Sequence, residues 1–396
     1  MIILIGILVT TSLVVKGGFT RLGLPAMLAF LLVGFLLRVV DDSFVVLPET
    51  GHKALKILGE IGIVCLLFRV GIEADLAGLY RQLRSASFIW ICNIFVSAAL
   101  GFAAAWYVLD LELVPSLVVA VALTASSIAI PVQVWQEVGA LNTSNGQRFL
   151  EVAELDDISA VVLMALLFWL TGDIQNGTDG DAIFAKFGMG LLEFGLKFFL
   201  FMVLCYVFAV HLEKPITKRL SRLKPAPDPM LSVGGIAFVI AGISGLLGFS
   251  LAVGAFFAGL AFSSDTRAVR MEASFETIFE LFTPFFFIHI GFLISPSALG
   301  AGVWTGLVLL IVAVAGKILG TVLPAKLGSN WPDAWILSVS MVPRSEICLL
   351  VMQTAVAMTV VALPDSVFSG MVLVCAVTSV GAPIVLQSLL KRRNEA

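Results

Sequence analysis

The stretch FLEVAELDDISAVVLMALLFWL, residues 149–170, is long and apolar enough to cross a bilayer, yet it carries two adjacent carboxylates, Asp156 and Asp157. If the chain enters the membrane near Gln147 and rises about 1.5 Å per residue, Asp157 lies about 15 Å deep. That is close to the middle of a hydrocarbon core about 30 Å thick. A charged carboxylate at that depth costs at least ~2.5–3.5 kcal/mol, so an adjacent pair implies a use, and carrying an ion or proton is the use such residues most often have. A structural ion pair is the plainer alternative, but it needs one Asp rather than two.

The rest of the chain agrees with that placement. Of 396 residues, 59% are hydrophobic and 13% charged, with a mean hydropathy of +1.05. Soluble domains carry about 25% charged residues, so the expected fold class is an all-α polytopic membrane protein. Net charge is −3. The five cysteines, Cys65, Cys92, Cys205, Cys348 and Cys375, all fall in apolar runs without a CxxC spacing, which reads as packing rather than disulfides or metal ligation. The first run lacks a basic leader and a small-residue cleavage site, and is expected to be a retained helix.

Hydropathy predicts about thirteen transmembrane helices, at 1–15, 24–40, 54–72, 86–109, 114–136, 148–171, 189–211, 230–248, 250–263, 277–294, 302–325, 334–360 and 366–390. Only Gly248 separates the eighth from the ninth. The connections are too short to hold a soluble catalytic domain. With the N-terminus outside, the inside connections hold 16 of the 24 Lys and Arg residues. The outside ones hold four, Arg38, Lys53, Lys56 and Lys186. Arg69, Lys197, Lys317 and Arg344 lie within or at the edge of spans. This bias predicts an N-out, C-in topology.

Thirteen spans divide as six, one and six, so the odd span inverts the second half relative to the first. Two inverted six-helix repeats with a site between them are a common plan of secondary transporters, which place interrupted helices at matching positions. The fifth span reads Thr124-Ala125-Ser126-Ser127-Ile128-Ala129-Ile130-Pro131. The twelfth reads Ser338-Val339-Ser340-Met341-Val342-Pro343-Arg344-Ser345-Glu346. Proline lacks an amide donor and crowds the preceding turn, so both helices are expected to open there and to cross as discontinuous helices. The freed carbonyls and hydroxyls can coordinate a cation where they line a cavity. The eleventh span carries one mid-span charge, Lys317, whose best partner is Asp156 or Asp157. Neighbours on a helix point about 100° apart, so one Asp can face Lys317 and the other a cavity.

With Leu58-Gly59-Glu60-Ile61-Gly62, Leu66-Leu67-Phe68, Gly71-Ile72-Glu73, Ala125-Ser126-Ser127 and Leu155-Asp156-Asp157, the chain resembles the monovalent cation:proton antiporter superfamily, in its Asp-Asp branch. The resemblance continues through Gly254-Ala255-Phe256-Phe257-Ala258-Gly259, Pro284-Phe285-Phe286-Phe287 with Gly291, Gly316-Lys317 and Met341-Val342-Pro343-Arg344-Ser345-Glu346, and so runs over nearly the whole chain. Departures fall at Ser345, Arg69 and Pro131. The resemblance implies exchange of Na+ or Li+ for H+ by an elevator-like, electrogenic mechanism, with K+/H+ exchange or regulated K+ efflux as the alternative. It implies that Asp157 alternates between cation and proton, and that Asp156 forms a salt bridge with Lys317. Ser126, Ser127 and backbone oxygens of the opened fifth span, which includes Thr124, would complete the shell of the transported ion. It also implies a transport domain at 86–171 and 302–390, a dimerising scaffold at 1–78 and 230–296, and a linker helix at 189–211. A homodimer in a bacterial inner membrane is expected, with no cofactor and no nucleic-acid partner.

Other charged residues invite plainer readings. Arg344 and Glu346 read as an ion pair bracing the second break, ahead of direct coordination. Glu151 and Glu154 lie six and three residues before Asp157, roughly on its face. They suit either an acidic funnel at the inside entrance or ordinary solvated acids of a first turn. Glu193 with Lys197, and Arg69 with Glu73, have the i,i+4 spacing of structural pairs. His289, in FFFIHIGF, reads as a packing histidine rather than a pH sensor. An intramembrane zinc protease would need a cluster such as HExxH, and the three histidines, His52, His211 and His289, are far apart in sequence. An aspartyl protease would need its Asp residues on two helices. A channel, or a sensor on a carrier fold, remains distinguishable by whether flux is coupled.

Overall fold

The computed structural model describes residues 2–22, 24–44, 46–73, 76–141, 143–174, 180–212, 215–216, 219, 229–247, 249, 251–262, 268–344, 346–358 and 361–395. Among them the regular structure is helical: α1 (Ile2–Arg21), α2 (Ala26–Phe44), α3 (Glu49–Glu73), α4 (Leu76–Ala103), α5 (Leu113–Ala122), α6 (Ala129–Glu137), α7 (Ser144–Ile174), α8 (Gly180–Val207), α9 (Pro229–Leu246), α10 (Leu251–Phe262), α11 (Ala268–Leu293), α12 (Leu299–Leu327), α13 (Trp331–Ser340), α14 (Glu346–Ala357) and α15 (Asp365–Glu395). Short π-helical turns follow α4 and α8.

The fifteen helices of the described residues map onto thirteen spans because two are broken. α5 and α6 share the fifth span, and α13 and α14 the twelfth. Prolines act at both breaks, though not as mid-helix kinks. Pro131 lies in the first turn of α6, where its missing amide is an orphan position anyway. Pro343 lies in the nonhelical link before α14. Four helices of the described residues are long and apolar enough to cross a membrane unaided, at Ala86–Val108, Leu192–Leu212, Gly300–Leu327 and Asp365–Arg393. The broken spans fall short because each half has twelve residues or fewer.

The chain forms two compact units. The first comprises Met1–Gly18, Ala29–Ala77 and Phe168–Leu293. Here α3 packs between α10 and α11, and α9 against α10. Glycines set these approaches. A Cβ on Gly71 would overlap the carbonyl oxygen of Phe256, and one on Gly259 that of Phe68. Overpacking of this kind costs roughly 1–3 kcal/mol, more where backbone rather than side chain must yield. Gly259→Ala is therefore expected to lower the unfolding midpoint in detergent by several degrees, and an unchanged midpoint would show that the crossing adapts. Phe285, Phe286 and Phe287 pack in the core, and the ring of His289 lies against Gly59, as a packing histidine would. Phe194, Phe198 and Phe201 of α8 meet Phe249 or Phe257 edge-on or tilted. Glu193 and Lys197 form their pair at 2.7 Å. Arg69 stands 4.3 Å over the ring of Phe279, whereas the side chain of Glu73 lies outside the described residues. His52, at a span end, bonds Asp41 at 2.9 Å.

The second unit comprises Phe19–Leu28, Gly78–Leu167 and Ile294–Ala396, and holds both breaks. α12 packs against α13 and α15, α14 against α5 and α15, and α6 against α15. A core built on Trp135, Phe149, Val152, Ile336 and Leu337 joins α6, α7 and α13. The run Gly316-Lys317-Ile318-Leu319-Gly320 has the small-xxx-small spacing that lets membrane helices approach closely. A Cβ on Gly316 would lie 3.0 Å from Cα of Ser97, and one on Gly320 2.8 Å from Cα of Asn93, so α12 is pressed onto α4 along this stripe.

Candidate functional site

Both breaks expose backbone groups, and the second unit uses them. In a continuous helix the carbonyl of Thr124 would accept from the amide of residue 128. Because α5 stops at Ala122, that carbonyl accepts instead from Nζ of Lys317 at 2.6 Å. The two breaks are bonded directly: the Ser127 amide donates to the carbonyl of Pro343 at 2.8 Å. The Ser126 hydroxyl lies 3.3 Å from the carbonyl of Met341.

Lys317 and Asp156 are both fully buried and paired at 2.6 Å. At an effective dielectric of about 20, unit charges that close attract by roughly 6 kcal/mol, similar to the several kcal/mol that desolvating each ion costs. The pair alone therefore about breaks even, and further donors decide whether it stands. Asp156 Oδ2 accepts from Ser126 Oγ at 2.7 Å and from Asn93 Nδ2 at 2.7 Å, and Asn93 Nδ2 also reaches Oδ1 at 3.0 Å. Of the two expected partners for Lys317, the structure selects Asp156. Asp157, 7% exposed, lies one residue on and about 100° round α7. The hydroxyl of Ser127 is buried and has no hydrogen-bond partner among the described residues. Thr124 Oγ1 donates back to the carbonyl of Val121 at 2.7 Å, so it is the backbone oxygen of Thr124 that faces the site. Glu151 and Glu154 are half-buried on α7, before the Asp pair.

Arg344 is held among backbone carbonyls. Its guanidinium donates to the carbonyl of Ala125, in the first break, and at 3.1 Å to that of Ala313 on α12. Its own amide donates to Thr378 Oγ1 at 3.2 Å, and its carbonyl accepts from Ser379 Oγ at 2.9 Å. Arg344 thus staples the two breaks together through carbonyls. The side chain of Glu346, its expected partner, lies outside the described residues. A further tie runs from Trp135 Nε1 to Ser340 Oγ at 3.0 Å.

Asn93 was not legible as a site residue. Its only sequence signal is a single amide in the apolar run Ile89-Trp90-Ile91-Cys92-Asn93-Ile94-Phe95, and such a group needs buried partners. Asp156, thirty residues beyond Ser126 and 161 before Lys317, is reached from three separate segments.

A buried carboxylate–ammonium pair, seated where two interrupted helices meet, defines a secondary ion transporter. Residues 7–392 match the family described as sodium/hydrogen exchanger, transmembrane, and the chain belongs to that family. It is 26% identical over 378 residues to the Na(+)/H(+)-K(+) antiporter GerN of Bacillus cereus, covering 95% of this chain and 92% of that protein. It is 26% identical over 380 residues to a Na(+)/H(+) antiporter of Enterococcus hirae, covering 94% and 93%. The fold is similar to that of the sodium proton antiporter MjNhaP1 from Methanocaldococcus jannaschii, with a TM-score of 0.72, 13% identity and 98% of each chain covered. The chain is thus a multi-pass membrane transporter and not an enzyme.

Proposed function

We propose that this protein exchanges Na+ or Li+ for H+ across a bacterial inner membrane, and that Asp157 is the group that holds cation and proton in turn. The observation that carries this reading is the buried Asp156–Lys317 pair at the first break. A cation arriving beside Asp157 needs oxygen ligands and a negative charge. Asp157, the hydroxyls of Ser126 and Ser127 and freed carbonyls of the break such as Thr124 supply both. The cation also repels the ammonium of Lys317. Since the pair about breaks even, that repulsion is enough to loosen it, and Asp156 then adds its charge to the site. Proton return restores the pair. The unit that holds both breaks acts as the moving transport domain, and the other as a scaffold that dimerises. Glu151 and Glu154 concentrate cations on the inside face.

A second reading, K+ in place of Na+, is favoured by one observation: the relative GerN is named for K+ as well. Proton flux into proteoliposomes with an imposed pH gradient separates the two. Sodium and lithium, but not potassium, are expected to dissipate the gradient. A potassium-selective response would move the assignment to K+/H+ exchange. No response to any of the three, from folded protein, would overturn antiport.

A further inference from the structure

The amide of Asn93 is fully buried on α4 and aims Nδ2 at both oxygens of the Asp156 carboxylate, at 2.7 and 3.0 Å. Its Oδ1 accepts from Thr321 Oγ1 at 3.4 Å, on α12 one turn beyond Lys317. This arrangement dictates which end of the amide faces the carboxylate. Reversed, the amide would set a carbonyl oxygen against two carboxylate oxygens with no proton between them. Thr321 reaches Asn93 because residue 320 is glycine, which allows α12 to touch α4 at that point.

We propose that Asn93 is a positioning residue for cation binding: it holds the Asp156 carboxylate in place while Lys317 comes and goes. The proposal rests on the antiporter reading above. In the structure Asp156 Oδ2 accepts three donors, from Lys317, Ser126 and Asn93. When a cation loosens Lys317, two neutral donors remain, and they come from different elements, α4 and the first break. Ser126 bonds one oxygen only, so without Asn93 the carboxylate can pivot about that single bond. Each cation would then have to reorder it on arrival. That ordering cost falls on binding, because both donors move with the unit that carries the site and neither bond is remade during translocation.

The test is the Na+ dependence of initial proton flux in proteoliposomes for the wild type, Asn93→Ala and Thr321→Val. Loss of a hydrogen bond to a charged group corresponds to about tenfold or more in binding, so Asn93→Ala is expected to raise half-saturating Na+ by about tenfold and leave the maximal rate within about threefold. Thr321→Val, which unhooks the amide without removing it, is expected to give a smaller shift in the same direction. A general loss of packing would instead lower the amount of active protein and leave half-saturation where it was. Unshifted half-saturation, or a fall in maximal rate alone, overturns the proposal. If Asn93→Ala does not fold, the Thr321→Val shift decides. A wild type that moves no protons on adding cation would overturn the antiporter reading itself, whereas a responding wild type with unshifted variants overturns only the role of Asn93.

Discussion

Asp157→Asn is expected to leave a folded protein that no longer exchanges Na+ for H+. The amide has nearly the shape of the carboxyl group but cannot take up and release a proton in the physiological range. It also removes the charge that a dehydrated cation needs. At about 4 Å and an effective dielectric of about 20, one carboxylate is worth about 4 kcal/mol to a monovalent cation, close to a thousandfold in binding. Folding is expected to survive, because an amide is cheaper to bury than an ionised carboxylate. The measurement is Na+-driven proton flux in proteoliposomes, together with the thermal unfolding midpoint of the same preparation. Wild-type exchange by a folded Asp157→Asn protein would remove Asp157 from the carrying role and leave Asp156 as the remaining buried acid of the site.

Lys317→Ala carries the second large effect, and here the structure says more than the sequence. Its ammonium holds both Asp156 and the carbonyl of Thr124. Removing one partner of a buried pair leaves the other uncompensated and costs about 3–5 kcal/mol. A marked fall in the unfolding midpoint is therefore expected, and Asp156→Asn in the same chain should recover most of it, since neither member of the pair then leaves an uncompensated charge. The transported unit also loses one positive charge, so exchange by Lys317→Ala is expected to respond differently to an imposed membrane voltage. Equal destabilisation in the single and double variants would show that packing, rather than charge, accounts for the loss. An unchanged voltage response would separate Lys317 from the transport cycle.

The legible part of this protein is the part that hydrocarbon makes expensive. Asp156, Asp157 and Lys317 stand out because charges inside apolar runs are costly, and the two breaks stand out because proline and hydroxyl residues cluster at mid-span in matching positions. Helix limits followed hydropathy closely enough that both interrupted spans lie where the sequence predicts them. Pro131 shows where that reasoning stops. Proline marks the neighbourhood of the break, but the chain opens several residues earlier, because a proline in the first turn of a half-helix loses no hydrogen bond.

Pairing was not legible in the same way. Residue spacing leaves Asp156 and Asp157 equal candidates for Lys317, since they differ only by a turn of about 100° on one helix. Asp156 is the one that both α4, through Asn93, and α12, through Lys317, reach. Arg344 donates to the carbonyls of Ala125 and Ala313, contacts that no spacing announces, while the side chain of its expected partner Glu346 lies outside the described residues. The nonhelical link in the first break is what leaves the Ala125 carbonyl open to a side chain. Asn93 escaped notice because one amide in an apolar helix looks the same whether it packs or positions.

By itself, then, the sequence determined that the chain is a helical membrane protein with a charged site between two opened helices. Burial in hydrocarbon is a cost each residue incurs locally, so it is written in composition and period. Which groups meet in that site was decided only by the tertiary structure. Hydrogen bonds of 2.6–3.0 Å between α4, α7, α12 and the first break depend on how closely the helices approach, and no spacing along one chain specifies that distance.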